Sequence, residues 1–288
     1  MTELKRATGL LVIEVVNSNP NGDPDRESDP RQRPNGRGEI SPVSFKRKLR
    51  DLLEDPVSDF VQMMPEPYCS EPERFRILER RGRDRKAIAA EMGKDPAKFM
   101  QSEFVRKYWD ARLFGNTFLE GDNDKGFLKT GVVQFGMGLS VAPVNILRQT
   151  NTNKAGVQDG KNQGMAPMAY RVVEHGVYCM PFFVNPHYAA KSGCTAEDVE
   201  LMRLLIPHAY DLNRSAIRPD VRIRHAWYIE HKSLLGSCPE YMLIDALTPV
   251  RKGDTNEPST SWADYEDRNG LPVELQARVA SVTDLINS

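Results

Sequence analysis

The chain is poor in the residues that build metal and redox sites. Its 288 residues hold four widely spaced cysteines, Cys69, Cys179, Cys194 and Cys238, with no C-x-x-C pair. The five histidines show no metal-ligand spacing either. Both features argue against a zinc site or a disulfide framework, and no metal or other cofactor is expected. No apolar run approaches the ~20 residues of a membrane span, and the N-terminus lacks a signal-peptide apolar region. Reduced thiols in the cytoplasm are the expectation. There is also no excess of one charge: 39 Lys and Arg stand against 40 Asp and Glu, net −1. Finally, the aromatic signature of base-stacking sheets fits neither 132–139 nor 170–183.

What is present is charge in separate blocks. Residues 31–50 carry seven basic side chains against one acid, Glu39, giving +6. Residues 74–86 hold Arg74, Arg76, Arg80, Arg81, Arg83, Arg85 and Lys86 against Glu79 and Asp84, giving +5. Residues 251–288 carry four basic and seven acidic side chains, giving −3. A chain segregated in this way can face a polyanion on one side and dock on a neighbouring copy with another.

The apolar run at Ala7 to Val16, broken only by Glu14, predicts a central strand covered on both faces. Ser41 followed by Pro42 predicts a helix start, with Phe45, Leu49, Leu52 and Leu53 at helical spacing. Residues 55–128 read as an insertion that contains a basic helix over 73–92 and a second helix ending near Phe114. A strand is predicted from about 129 to 139. Residues 140–169 read as another insertion, because 148–164 has no aromatic residue and little to bury. That stretch is expected to be a mobile loop or an arm ordered by a partner. A strand over 170–184, a helix opened by the capping box Thr195 to Asp198, and a strand over 221–230 follow. A last amphipathic helix is expected to carry Leu275, Val279, Val282 and Ile286. Without the insertions the order is strand, helix, strand, strand, helix, strand. That is an α+β, ferredoxin-like split βαβ arrangement, shared with RNA-recognition motifs.

The polar turn from Asn17 to Asp25 follows the first strand. As a calcium loop it fails, with Ser28 where a glycine is needed and Pro34 where a bidentate Glu belongs. Three readings stay open: a rigid turn that caps its own backbone, a nucleic-acid contact, or a metal cluster of Asp23, Asp25 and Asp29.

Several motifs resemble the backbone subunit of type I-C CRISPR Cascade, of the RAMP superfamily. They are NSNPNGDPD at 17–25, ISPVSFKRKLRDLL at 40–53, WDARLFGN at 109–116 and SVAPVNILRQTNTN at 140–153. VVEHGVYCMPFFVN at 172–185, DLNRSAIRPDVRI at 211–223 and WYIEHKSLLGSCPEYMLIDAL at 227–247 complete the series. The resemblance implies an RNA-recognition-like palm (1–54, 129–139 and 170–250), a helical finger (55–128), a hairpin thumb (140–169) and a C-terminal segment (251–288). It also implies a non-catalytic protein whose copies stack along CRISPR RNA and present it to invading DNA. The implied partners are the guide-processing, large and small subunits and a recruited helicase-nuclease. A guide holder should grip phosphate and ribose and leave base edges free. The RNA-facing candidates are Asn17, Asn19, Asn21, Arg37, Lys46, Arg47, Arg50, Arg148, Thr150, Thr152 and Lys154. Met165 and Met168 are the candidates for a base-displacing wedge, and the seven cations of 74–86 are the candidates for target DNA. The alternative is a metal-dependent ribonuclease that uses Asp23, Asp25 or Asp29.

Overall fold

The computed structural model describes residues 3–80, 82, 84–93, 95–115, 130–152 and 167–287. Eight strands form one antiparallel sheet: β1 (Ala7–Ser18), β2 (Arg37–Ile40), β3 (Val133–Phe135), β4 (Gly138–Pro143), β5 (Ile146–Thr152), β6 (Pro167–Val184), β7 (Val221–Glu230) and β8 (Ser281–Asp284). The path across it is β8-β7-β1-β6-β4-β2, with β3 and β5 also paired to β6. The result is a mixed α/β architecture around a large antiparallel sheet.

β1 sits at the centre because both of its faces are apolar. Leu11, Ile13 and Val15 pack with Phe45 and Leu49 of α1 (Pro42–Asp51) and with Leu201, Met202 and Leu205 of α5 (Ala196–Leu205). Leu10 and Val12 pack on the other side with Leu243 and Leu247 of α6 (Glu240–Leu247), and with Tyr265, Leu271 and Val279. On the α1 side Gly9 is needed, since a Cβ would lie 2.0–2.5 Å from the Phe182 ring.

The expected caps are in place. Ser41 Oγ accepts from Ser44 N, and Thr195 and Asp198 form a reciprocal capping box. Within 55–115 the expected basic helix is shorter than its composition suggested. Residues 72–75 form a 3₁₀ turn, and only α2 (Arg85–Met92) is helical. α3 (Glu103–Lys107) and α4 (Trp109–Phe114) follow, separated at Tyr108. Leu78, Ile88, Met92, Phe99, Phe104 and Tyr108 give this region a core of its own.

The C-terminus corrects another expectation. Leu275, Val279, Val282 and Ile286 do not share a helix: Val273–Gln276 is one helical turn, and Ser281–Asp284 is strand β8. β8 pairs with the outer edge of β7, from Ser281↔Glu230 to Asp284↔Trp227. The backbone groups of that edge supply partners that local helical spacing does not.

β6 runs on past the end of β1. Val173 pairs with Ser18, and residues 167–173 pair instead with β5, so a two-stranded ribbon extends from the sheet.

Candidate nucleic-acid interface

The Asn-rich turn sits where four segments meet. Asn19 N donates to Ile217 O (2.7 Å), Arg31 N to Asn21 O (3.0 Å) and Glu39 N to Arg31 O (2.9 Å). The buried Asn19 donates from Nδ2 to the carbonyls of Ser28 (2.8 Å) and Arg171 (3.1 Å). Asn21 Oδ1 accepts from Ser41 N (2.7 Å), which ties the turn to the start of α1. These two asparagines therefore brace backbone and are not presented to a ligand. Asn17 is the exposed one, held at φ +43°, a left-handed conformation that short polar side chains tolerate.

Cations from distant parts of the chain surround this turn. Arg148 of β5 and Arg171 of β6 are direct cross-strand partners. Arg148 donates to Asp29 (2.7 and 3.0 Å), and Arg171 lies 3.5 Å from the same carboxylate. Arg218 donates through Nε to Asn19 O (3.1 Å). Lys48 lies 3.6 Å from Asp51; burial, then the nearby Arg218, holds its pKa below the usual lysine range, though Asp51 opposes them. Arg31 is 3.7 Å from Asp23. Arg37 is exposed on β2 and has no side-chain ion pair among the described residues. Arg148 and Arg37 were legible in the sequence. Arg171, Arg218 and Lys48 were missed, although Arg218 lies in the quoted 211–223 motif.

The row of cations on α1 faces elsewhere. Arg50 donates to Asp110 Oδ2 (2.8 Å), and Asp110 also accepts from Leu78 N (2.7 Å) and Glu79 N (3.1 Å). Arg47 pairs with Asp51 (2.5 Å) and Glu54 and donates to Glu79 O (2.9 Å). Helical spacing put these arginines on phosphate; the structure commits both to holding the 55–115 region. Lys46 lies 5.1 Å from the centre of the Phe114 ring with no ion pair among the described residues. Burial, followed by repulsion from Arg50, lowers its pKa to about 8.

A lysine whose folded-state pKa is depressed costs stability whenever it is charged. Stability should therefore rise as pH climbs from 8 towards 10.5. Lys46→Met is expected to stabilise the protein at pH 7 by on the order of 1 kcal/mol, discounted for partial exposure, and to do nothing above pH ~10.5. Urea midpoints at pH 7 and 10.5 check this, and a destabilised variant at pH 7 would refute it.

The second basic run is only partly free. Arg74 pairs with Glu71 and Glu197 (both 2.8 Å), and Arg76 pairs with Glu73 (2.6 Å). Arg80 and Lys86 are exposed with no ion pair among the described residues, and Arg85 begins α2. Arg81, Arg83, Lys154 and Met165 lie outside the described residues. Thr150 is exposed on β5, and Thr152 and Met168 lie on the β5–β6 ladder.

Asp23 and Asp29 face each other across a short antiparallel pair, each beside an arginine. Asp29 is held by two arginines, and Asp23 accepts from Asp25 N (3.2 Å). Among the described residues, no group of three or more His, Cys, Asp or Glu could hold a metal ion.

The sheet face beneath α6 is closed by the C-terminal segment through a buried polar network. Glu14 lies 3.2 Å from His175 Nε2 and 2.6 Å from Arg224. His175 Nδ1 meets Ser259 Oγ at 2.7 Å, and Tyr265 donates to the same hydroxyl (2.9 Å). Arg224 stands beside a bulge in the β1–β7 ladder and over the Trp262 ring. Sequence reading noted Glu14 only as the break in the first strand and gave none of these residues a role.

In class, this is an antiparallel-sheet α/β protein with a cluster of cations around one end of its central strand. A family model described as CRISPR-associated protein Cas7 matches residues 5–268, and the chain belongs to that family. A curated CRISPR-associated protein Cas7 from Haloferax volcanii is 25% identical over 230 residues. That match covers 71% of this chain and 64% of the relative, so it spans less than two thirds of the relative's length. A chain from a "CRISPR RNA-guided surveillance complex, pre-nicking" is similar at TM-score 0.45 and 15% identity, over 79% of this chain and 77% of that one. A chain from a "Type III-B Cmr-beta bound to cognate target RNA" gives TM-score 0.45 at 9% identity, over 78% and 61%.

Proposed function

We propose that this protein is a non-catalytic backbone subunit of a type I-C CRISPR Cascade complex. Several copies stack along the guide RNA in the cytoplasm and present it to invading DNA. The observation that carries the reading is the convergence of Arg31, Arg148, Arg171, Arg218 and Lys48 around one turn in a chain of this family, with Arg37 exposed and unpaired among the described residues. Arginines there suit phosphate, and none is placed by a motif that reads bases. The quoted 17–25, 40–53 and 211–223 motifs support the subtype.

In this reading the β7-β1-β6-β4 order, antiparallel throughout, is the split βαβ palm. Residues 55–128 are the finger, with Arg80 and Lys86 its available cations for target DNA. Residues 140–169 are the thumb, built on the β5–β6 ribbon, and Met165 and Met168 are its wedge. The guide-processing, large and small subunits and the helicase-nuclease are the further partners. The cluster gathers on the β5–β6 ribbon and the turns beside it at one end of the central strand, which suits a holder indifferent to sequence.

Arg37→Gln is expected to weaken binding of two unrelated single-stranded RNAs by the same factor. It should also flatten the salt dependence by about 0.7 per lost phosphate contact. Fluorescence anisotropy across a salt series measures both, and a loss confined to one RNA would refute the sequence-independent grip. Periodic cutting of a complementary RNA in magnesium would favour the ribonuclease instead.

A further inference from the structure

The cross-strand pairing of Arg148 with Arg171 sets two like charges directly opposite each other, an arrangement that is destabilising unless an anion lies between them. The chain supplies two carboxylates of different kinds. Asp29 is largely buried and touches both guanidinium groups. Glu27 is 81% exposed at its side chain, and its only partner among the described residues is Arg171. Arg171 also donates to the carbonyls of Arg26 (3.2 Å) and Glu27 (2.9 Å), so it grips the tip of the turn as a whole. That tip is held in an unfavourable conformation: Glu27 and Ser28, neither a glycine, follow one another at φ +50° and +66°.

We propose that the Glu27 carboxylate is an internal stand-in for a nucleic-acid phosphate, seated on Arg171 and exchanged for that phosphate when RNA binds. The inference rests on the RNA-holding reading above. A carboxylate and a phosphate offer a guanidinium the same forked pair of oxygens. Glu27 is accessible and loosely held, so it is the one that leaves. Asp29 stays between the arginines and keeps them side by side. Exchange lets residues 27 and 28 relax, and unbound protein keeps the Arg148–Arg171 pair closed to weak anions.

The test compares binding of one single-stranded RNA by the full-length wild type, Glu27→Gln, Asp25→Asn, Arg171→Gln and the Glu27→Gln/Arg171→Gln double variant. Glu27→Gln is expected to bind about threefold tighter, as release of one exposed ion pair implies. Asp25→Asn removes the same charge from an exposed neighbour without an arginine partner, so it should gain less. In the Arg171→Gln background the Glu27→Gln gain should vanish. Amide hydrogen exchange at residues 24–29 of the wild type should speed up on adding RNA. If Glu27→Gln gains no more than Asp25→Asn, or keeps its gain without Arg171, or if those amides become protected, the exchange is overturned while RNA binding stands. If the wild type binds no RNA even at low salt, the RNA-holding reading falls and takes the exchange with it.

Discussion

Replacing Arg112 by methionine is expected to destabilise the protein by about 3–5 kcal/mol, because it strands a buried carboxylate. Arg112 and Asp198 are both buried. The guanidinium donates to both oxygens of Asp198 (2.6 and 3.0 Å) and to the carbonyls of Arg74 (2.8 Å), Val105 (2.8 Å) and Arg106 (3.0 Å). Asp198 is also the reciprocal partner in the cap of α5. One side chain thus joins two turns of the 55–115 region to a helix of the sheet layer, beside the bond from Trp109 Nε1 to Asp198 O (2.9 Å). Methionine fills a similar volume but takes this donor from three carbonyls and leaves the buried Asp198 charge with only its cap hydrogen bonds from Thr195. Equilibrium urea unfolding measures the loss, and limited proteolysis should cut first between residues 55 and 115. A loss below ~1 kcal/mol would mean that this region docks through its apolar contacts alone.

Glu14→Ala is expected to cost about 1–3 kcal/mol and to loosen the C-terminal segment, because it leaves the buried His175 without its partner while Arg222 and Arg224 can turn to solvent. Glu14 is the one charged side chain in the apolar run of β1, and it faces His175, Arg222 and Arg224. Burial alone would raise its pKa; hydrogen bonds from His175 and Arg224, with their charges, outweigh that and leave it below the ordinary carboxylate range. An acid with a depressed folded-state pKa adds stability above its unfolded value of about 4.5, and loses that stability as pH falls through the lower folded value. The wild type should therefore lose stability over that acidic window, and Glu14→Gln should lose less there. Chemical denaturation at pH 7 and across the acid range reads both effects. An identical acid profile in the two proteins would show that the carboxylate does not stabilise the network.

His225 presents the opposite sign at the C-terminal strand. Burial works against its charged form, but the hydrogen bonds it donates to Asp284 and Asp267 prevail and raise its pKa. The clamp on β8 is thus strongest below pH 6.5 and weakens as pH rises through the higher folded value. The hold of β8 on β7 is therefore expected to depend on pH as well as on its ladder.

The sequence by itself determined the elements whose causes are local. The two-sided apolar run of β1, the Ser41–Pro42 start of α1, the Thr195–Asp198 box and strand β7 each depend on residues within one or two turns of each other. Membership of the family was legible too, because seven motifs lie in order along the chain. Tertiary structure decided which charges are available. Arg50 meets Asp110 and Arg112 meets Asp198 across long stretches of sequence, so spacing on a helix shows that these arginines exist but not what neutralises them. The same holds for Asn19 and Asn21, whose amide groups are taken by backbone from distant segments. Tertiary structure also made a strand of residues 281–284, because the free edge of β7 offers hydrogen bonds that outweigh a helical spacing of apolar residues. Local chemistry specified the pieces; pairing at a distance decided which cations stay unpaired.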